Sequence, residues 1–257
     1  MDAAMELLLD QKTAEGGSIQ VWQQANLRYL DFVDGLLQSA IDINDPGVLP
    51  FSLNRAMLAG IIFSAPIKRV LLAGAGGGAS ARFLAHRFPD IHGEAVENNS
   101  EIAGIARHYF EFPKSWPIHI EDIRQFIRQS QAAYDVILLD IAVAQTTPEW
   151  ILNADFLQQC RNQLTAKGHL ALNLLVDDAD GFLAALKLIR QVFAKRTVCL
   201  SLENHRNIVV FAFNGAPEFL PPLSAQRLRS LMQHWSIELD EFYQRMQKEN
   251  PAGSGIF

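Results

Sequence analysis

Between residues 68 and 213, short apolar runs rich in β-branched residues alternate with longer stretches in which apolar positions recur every three or four residues. The short runs predict strands and the longer stretches predict helices. Strands are predicted over residues 69–73, 93–96, 118–121, 136–140, 169–175, 197–200 and 208–213, and helices over residues 79–87, 100–110, 124–130, 154–163 and 179–192. This order predicts an α/β protein with a Rossmann-like, seven-stranded, mostly parallel sheet. The last two strands follow each other without a helix, which predicts an antiparallel hairpin at one edge.

The two ends of the chain follow other patterns. Strands are predicted over residues 18–21, 27–32 and 36–43, with Asp34-Gly35 as a two-residue hairpin turn, and a helix over residues 53–63. Three prolines at positions 217, 221 and 222 stop the sheet, and residues 224–248 predict one helix before a frayed end. We therefore expect a small antiparallel β-region with a helix (1–64), a Rossmann-like nucleoside-binding domain (65–215) and a C-terminal helix with a tail (216–257).

Composition narrows the class of protein. Of the 257 residues, 49% are hydrophobic and 19% are charged, as in soluble globular proteins. The net charge of −6 argues against a broad nucleic-acid-binding face. The first ten residues lack the basic region and long apolar stretch of a signal peptide, and the longest apolar run has about half the residues that a bilayer span needs. We expect a cytoplasmic protein with no membrane partner, in which Cys160 and Cys199 are reduced packing thiols.

A glycine-rich turn follows the first strand of the predicted sheet, with the spacing Gly74-x-Gly76-x-Gly78. Glycines let the backbone turn sharply and let a ligand approach without a Cβ in the way. In open α/β sheets, ligands bind beyond the carboxyl ends of the strands. The spacing suits a nucleoside with a short charged tail at least as well as a pyrophosphate. The alternative is a tight turn that holds no ligand.

Carboxylates follow the next strands. Glu97 is placed to accept hydrogen bonds from both hydroxyls of a ribose. Asp122 is placed to accept a hydrogen bond from an adenine amino group, while Ile123 packs on the ring. Asp140 would face the reactive part of the ligand, where a buried carboxylate needs a cation or hydrogen-bond donors. The alternative is a helix cap for Glu97 and for Asp122, and a helix cap or a structural hydrogen bond for Asp140.

Together with the strand YDVILLD at residues 134–140, these residues resemble the class I S-adenosylmethionine-dependent methyltransferase fold. Residues 164–170 resemble the Leu-x-Pro-Gly-Gly turn of that fold into its fifth strand. Within the superfamily, residues 30–39 and 134–140 resemble the hairpin and the YDVI-x-x-D strand of the spermidine and spermine synthases, the polyamine aminopropyltransferases. The resemblance spans residues 27–213.

The resemblance implies a metal-free reaction in which decarboxylated S-adenosylmethionine donates an aminopropyl group to putrescine and methylthioadenosine leaves. It implies that the glycine loop and Glu97 hold the nucleoside, that Asp122 reads the adenine, and that Gln38 lines the pocket. Asp140 corresponds to the first Asp of the family's catalytic motif.

Three departures from the family pattern argue against putrescine as the acceptor. The second Asp of the catalytic motif, the base of that family, is Val143 here, and an acid of the glycine loop is Gly77. A Tyr and a Glu of another family segment are Leu53 and Arg55. A diamine is protonated at pH 7 and needs carboxylates to bind it and a base to free a lone pair. We therefore expect a nucleoside pocket in a protein that uses putrescine poorly or not at all.

Two other functions stay open. A methyltransferase with S-adenosylmethionine and an unknown small-molecule acceptor would need mainly positioning of its substrates. No Asn/Asp-Pro-Pro-Tyr follows the fourth strand, which disfavours methylation of base or glutamine amino groups. The other possibility is a non-catalytic nucleoside-binding protein, with a homodimer formed through the N-terminal β-region or the helix around Trp235. Trp150 either walls the acceptor pocket or is a packed aromatic, and no histidine is assigned a role.

Overall fold

The computed structural model describes residues 4–12, 17–32, 37–64, 66–143 and 146–257. An antiparallel sheet of four strands, in the order β1-β2-β3-β4, opens the chain. Its strands are β1 (Met5–Lys12), β2 (Ser18–Gln24), β3 (Leu27–Asp31) and β4 (Leu37–Asp42). The predicted antiparallel β-region is confirmed, and β1 is an additional strand that the sequence pattern did not predict. The predicted Asp34-Gly35 turn lies outside the described residues.

The lack of a strand signal in β1 has a physical reason. Residues on both of its faces are exposed or half-buried, so apolar and polar positions do not alternate along it. Its register with β2 also shifts between Leu7 and Leu9, which moves the later side chains to the other face. Pairing with β2, rather than a buried face, therefore defines this strand.

A seven-stranded sheet contains the remaining strands, in the order β10-β11-β9-β8-β5-β6-β7. They are β5 (Arg69–Ala73), β6 (His92–Glu97), β7 (Ile118–Ile120), β8 (Tyr134–Leu139), β9 (Leu164–Leu174), β10 (Thr197–Ser201) and β11 (Ile208–Phe213). The β5–β8, β6–β7 and β8–β9 pairs are parallel, and β11 pairs antiparallel with both β9 and β10. The mostly parallel sheet with an antiparallel edge hairpin is confirmed.

Helices follow the strands as the periodicity predicts. They are α1 (Ser52–Leu58), which continues into a 3-10 helix (Ala59–Phe63), α2 (Ala79–Arg87), α3 (Ser100–Tyr109), α4 (Ile123–Gln129), α5 (Ala154–Asn162) and α6 (Ala179–Val192). The segment expected to turn into the fifth strand is an irregular part of β9, because pairing with β8 jumps from Leu164 to His169. Gly168 lies in this irregular part, and a Cβ there would lie 2.7 Å from the Tyr134 carbonyl oxygen.

The chain forms two compact units. The first unit comprises Met1–Asn54 and Gly74–Ile123. Its N-terminal sheet contributes Ile19, Val21, Leu30 and Ile41 to a buried cluster with Ile105 and Phe110 from the region of α3. This cluster fixes β4 and α3 around the glycine-rich turn that belongs to the same unit.

The second unit comprises Arg55–Ala73 and Arg124–Phe257. Here the single helix predicted over residues 224–248 is wrong, because the structure has α7 (Ala225–Trp235) and α8 (Leu239–Glu249). The break is at Ser236, which adopts a left-handed conformation with φ 55° and donates its N–H to the Met232 carbonyl. Across the described ranges, no helix is long and apolar enough to cross a membrane.

Candidate nucleoside-binding site

The glycine-rich turn between β5 and α2 is built as the sequence predicts. Gly76 and Gly78 have φ of 48° and 72°, in the left-handed region that favours glycine. A Cβ on Gly78 would lie 2.4 Å from the Phe112 ring, so packing requires glycine there as well. A Cβ on Gly76 would meet no atom within 4 Å, which leaves this face of the loop open to a ligand. Gly74, the first glycine, donates its N–H to the Val96 carbonyl at 3.0 Å.

Glu97 lies at the end of β6 and is tied to the glycine loop. Only 7% of the residue is exposed. Its Oε2 accepts the Ala75 N–H at 3.0 Å and its Oε1 accepts the Asn99 N–H at 3.0 Å. The alternative that Glu97 caps α3 does not describe this structure, because the Asn99 side chain is the N-cap. Each carboxylate oxygen has a second acceptor position, so both oxygens can still accept a ribose hydroxyl.

Asp122 and Ile123 follow β7 in the same unit. Ile123 is buried as the first residue of α4, and Asp122 is half-buried directly before it. The predicted adenine contact uses these two neighbours, with the Asp122 carboxylate at the edge of the ring and Ile123 on its face. The adenine-reading role of these two residues stays a prediction.

On β4, the contact with the glycine loop comes from a neighbour of the predicted residue. Gln38 is exposed, whereas Ser39 is buried. A Cβ added to Gly77 would lie 2.6 Å from the Ser39 Oγ and 3.2 Å from the Phe110 ring. Successive residues of a strand point to opposite faces, which is why Ser39 and not Gln38 faces the loop. The role of Gln38 in a pocket stays a prediction.

Arg82, in the first half of α2, is a residue that the sequence analysis missed. It is 3% exposed. Its guanidinium donates hydrogen bonds to the carbonyl oxygens of Phe110 (2.8 Å), Ala40 (3.0 Å), Pro46 (3.2 Å) and Gly77 (3.4 Å). Burial lowers the pKa of Arg82 to about 10, so the side chain is still a cation at pH 7. Its position on the apolar, buried face of α2, next to Ala81 and Phe83, was the available signal.

Asp140, in the second unit, directly follows β8. Its N–H donates to the Ala73 carbonyl at 3.0 Å, and its Oδ1 accepts the Nδ2 of Asn173 at 2.8 Å. The residue is half-buried. Burial raises the pKa of this carboxyl, and the Asn173 hydrogen bond opposes that rise. The donor that a buried carboxylate requires is therefore an internal amide, and the catalytic role of Asp140 stays a prediction.

Asn173 was also missed. It lies on β9, is 3% exposed, and its Oδ1 accepts the Nδ2 of Asn207 at 2.9 Å. A single amide inside the apolar run of residues 170–175 was the signal that could have found it, because a buried polar group needs a partner.

The positions that depart from the family pattern are apolar or internally paired. Val143 is 62% exposed and forms a short antiparallel bridge with Thr146. The Arg55 Nε donates to both carboxylate oxygens of Glu238, at 2.8 and 3.1 Å.

Trp150 has aromatic and cationic neighbours. Its ring contacts the Phe156 ring edge-on, with centroids 5.2 Å apart, and the Arg124 guanidinium lies 4.8 Å from its centroid. These contacts fit the packed-aromatic alternative. Within the described part of the chain, no group of three or more His, Cys, Asp or Glu side chains is placed to hold a metal ion.

The fold and the glycine–acid arrangement define a protein of the class I methyltransferase fold, preceded by a small antiparallel sheet. Human methyltransferase-like protein 13, solved in complex with SAH, matches with a TM-score of 0.62 and 23% identity over 72% of this chain and 91% of that one. A probable spermidine synthase from Corynebacterium glutamicum matches with a TM-score of 0.72 and 21% identity over 89% of this chain and 86% of that one.

Sequence comparison points to the same group. A polyamine aminopropyltransferase of Chromobacterium violaceum is 27% identical over 242 residues, which cover 92% of each chain. No protein-family model matches the chain. The resemblance to the spermidine and spermine synthases is thus confirmed over nearly the whole length, and the structural likeness shows the class I methyltransferase fold.

Proposed function

We propose that this chain binds an S-adenosyl compound through its first unit and transfers a group from the sulfonium to a small-molecule acceptor. The observation that carries the proposal is the buried Glu97 carboxylate, held by the Ala75 N–H of the glycine loop. A carboxylate that is oriented by backbone donors is a good acceptor for the two hydroxyls of a ribose. Gly76 leaves the loop open beside it, and Asp122 and Ile123 would contact the adenine.

We further propose that aminopropyl transfer to putrescine is slow or absent. Attack on the carbon beside sulfur needs a neutral amine, and removal of a general base costs about 10²–10⁴ in rate. Val143 is a hydrocarbon at the base position, and Arg55 places a cation, paired with Glu238, where an acid would bind the diamine. The proposed protein therefore has the architecture of the aminopropyltransferases and binds an adenosyl ligand, but it does not transfer an aminopropyl group efficiently to putrescine.

Methyl transfer is the second candidate function. An exposed apolar side chain at Val143 does not hinder it, because transfer of a methyl group depends mainly on positioning of the acceptor. The likeness to human methyltransferase-like protein 13, which was solved with SAH, supports this candidate. Asp140 would then orient the acceptor rather than act on a diamine.

Calorimetric titration of the purified chain with methylthioadenosine and with S-adenosylhomocysteine tests the binding proposal. We expect Glu97→Gln to weaken binding by about 10- to 100-fold, since charge-assisted hydrogen bonds contribute about 1.5–3 kcal/mol. The matched control is Glu94→Gln, which alters the same strand at an acid bonded to His119. Failure of every adenosyl compound to bind, or equal losses in both variants, would contradict the proposal.

An assay of methylthioadenosine release from decarboxylated S-adenosylmethionine and putrescine tests the second part. We expect turnover at least 10²-fold below that of an aminopropyltransferase with the complete motif. Comparable rates would show that another group replaces the missing base.

A further inference from the structure

Three polar side chains from neighbouring strands of the second unit form a chain of hydrogen bonds. Asn207 donates its Nδ2–H to the Oδ1 of Asn173 at 2.9 Å, and Asn173 donates its Nδ2–H to the Oδ1 of Asp140 at 2.8 Å. We call these two hydrogen bonds the amide relay. The relay runs from the hairpin between β10 and β11, through β9, to the residue that follows β8. Both donors in it are directed toward the carboxylate.

Strand register brings the three residues together. Asp140 directly follows the last β8 residue that pairs with β9, and this places it beside Asn173. On the other side of β9, Asn173 pairs with Val209 of β11. Asn207 comes two residues before Val209 and therefore lies on the same face, because side chains alternate along a strand. The amide relay thus follows from the pairing of three strands that are neighbours in the sheet.

The middle of the relay is buried among apolar side chains. Asn173 is 3% exposed and stands between Leu172 and Leu174, which are fully buried. An amide in such a place costs free energy unless its polar atoms are hydrogen-bonded. The backbone around it is also fixed, because the Thr147 Oγ1 accepts the Leu175 N–H at 2.8 Å and donates to the Asn173 carbonyl at 3.5 Å. The amide is therefore held in one place, with its two ends directed at different partners.

The two ends of an Asn side chain are chemically different, so a partner at one end determines what the other end offers. Because Asn207 donates to the Asn173 oxygen, the Asn173 nitrogen faces Asp140; the reversed amide would set two oxygens against each other. Burial raises the pKa of Asp140, and the hydrogen bond from Asn173 lowers it. The charged side chains that adjoin the relay in sequence, Arg206 and Asp177, pair with each other at 2.8 Å. The relay is thus the feature of this site that favours the charged carboxylate.

We infer that Asn173 and Asn207 are positioning residues of the transfer reaction, which hold the Asp140 carboxylate by its Oδ1, in the charged form, with its Oδ2 open to the acceptor. Among the described residues, no donor bonds to this Oδ2. A charged carboxylate oxygen accepts an N–H or O–H of an incoming nucleophile, whereas a protonated carboxyl would itself donate. The inference rests on the proposed function, in which Asp140 orients the acceptor.

Titration of the Asp140 carboxyl, followed by carbon-13 NMR of the aspartate-labelled chain, tests the inference. The signal of Asp140 is the one that is missing from Asp140→Asn. We expect Asn173→Leu to raise the titration midpoint by about one pH unit or more, because a hydrogen bond to the charged form is lost. Asn207→Leu should raise the midpoint by a smaller amount, since Asn173 then loses the donor that fixes its orientation. The matched control is Asn204→Gly, an exposed Asn with φ 60° in the same hairpin, which should leave the midpoint unchanged.

The outcomes separate this inference from the proposed function. A midpoint in Asn207→Leu that equals that of wild type would overturn the inference. Because Asn207 is only half-buried, its variant also gives the answer if Asn173→Leu does not fold. Both variants should bind methylthioadenosine as wild type does, since the predicted adenosyl contacts belong to the first unit. Failure of wild type to bind any adenosyl compound would instead refute the proposed function, and the inference with it, whatever the titration shows.

Discussion

Gly76 and Gly77 are neighbours of the same type, but the structure requires each for a different reason. Gly76 has a left-handed backbone and open space around its Cβ position. Gly77 has an ordinary backbone but is pressed against Ser39 and Phe110. A side chain at position 76 would strain the backbone and obstruct a ligand, whereas one at position 77 would disrupt the packing of the first unit.

Gly77→Ala is expected to lower the free energy of unfolding by about 1–3 kcal/mol, because the added methyl overpacks a filled space. The control is Gly104→Ala, since a Cβ there meets nothing within 4 Å and the residue lies inside α3. That change should stabilise the chain by roughly 0.5–1 kcal/mol through helix propensity. Urea unfolding followed by circular dichroism measures both. A Gly77→Ala protein as stable as wild type would mean that Ser39 moves aside without cost.

The partner of Asp140 could not be read from the local sequence. Leu139 pairs with Leu172 across the parallel β8–β9 register, which places Asp140 beside Asn173. The sequence predicts that this acid lies at the end of a strand and that it needs a hydrogen-bond donor. The identity of the donor depends on the register between strands about thirty residues apart, and apolar runs that are buried on both faces leave that register open.

At the scale of elements, the division between α7 and α8 shows how a helix can end without a sequence signal. Residues 224–248 contain no Pro or Gly, and their apolar positions fit one helix. In the structure, the turn at Ser236 allows both Ile237 and Leu239 to be buried. Burial in the second unit therefore outweighs the local preference to continue the helix.

Ser236→Gly is expected to raise the free energy of unfolding by about 0.5–1 kcal/mol, because glycine adopts a φ of 55° without the steric cost of a Cβ. The same change at Ser230, an exposed position inside α7, should destabilise by about 0.5 kcal/mol. Thermal and urea unfolding measure the change in the free energy of unfolding for both variants. The two changes have opposite signs if the helix breaks at Ser236 as the structure shows. Destabilisation by both would indicate a continuous helix.

At the scale of the whole molecule, the burial of His169 makes the free energy of unfolding depend on pH. Its ring lies in the second unit, where its Nδ1 is 3.1 Å from the Ser64 Oγ. Its Nε2 has no hydrogen-bond partner among the described residues. Burial lowers the pKa of His169 to about 4. The neutral imidazole is therefore the form that the folded protein holds.

The unfolded chain binds a proton at His169 with an ordinary pKa near 6.5, before the folded chain does. Stability should therefore be complete above about pH 6.5 and fall as the pH drops toward 4, by roughly 3 kcal/mol from this group. His169→Leu should lose this part of the pH dependence, whatever its stability at pH 7. Replacement of the exposed His205 by Ala is the control. Urea unfolding between pH 4 and 7 measures the slopes, and equal slopes in wild type and His169→Leu would refute the assignment.

Much of the fold could be predicted because it is encoded locally. Apolar runs of four to seven residues and periodic stretches of seven to fourteen predicted the seven-stranded sheet and its helices. The boundaries differ from the predicted ones by one or two residues, except that β9 begins at Leu164, five residues before its predicted start. The glycine turn and the acid at position 97 could also be found, since each lies at the end of a predicted strand. The strand β1 could not, because it has no buried face of its own.

The amino-acid sequence by itself determined the alternation of strands and helices and the glycine turn after β5, and it placed a valine at position 143, where the family pattern has an Asp. Only the tertiary structure decided that Ser39 and Arg82 close the back of the loop, that Asn173 holds Asp140, and that His169 is buried. The physical reason is distance along the chain. Periodicity and turn chemistry act over a few neighbouring residues, whereas these contacts join residues that strand register and close packing bring together.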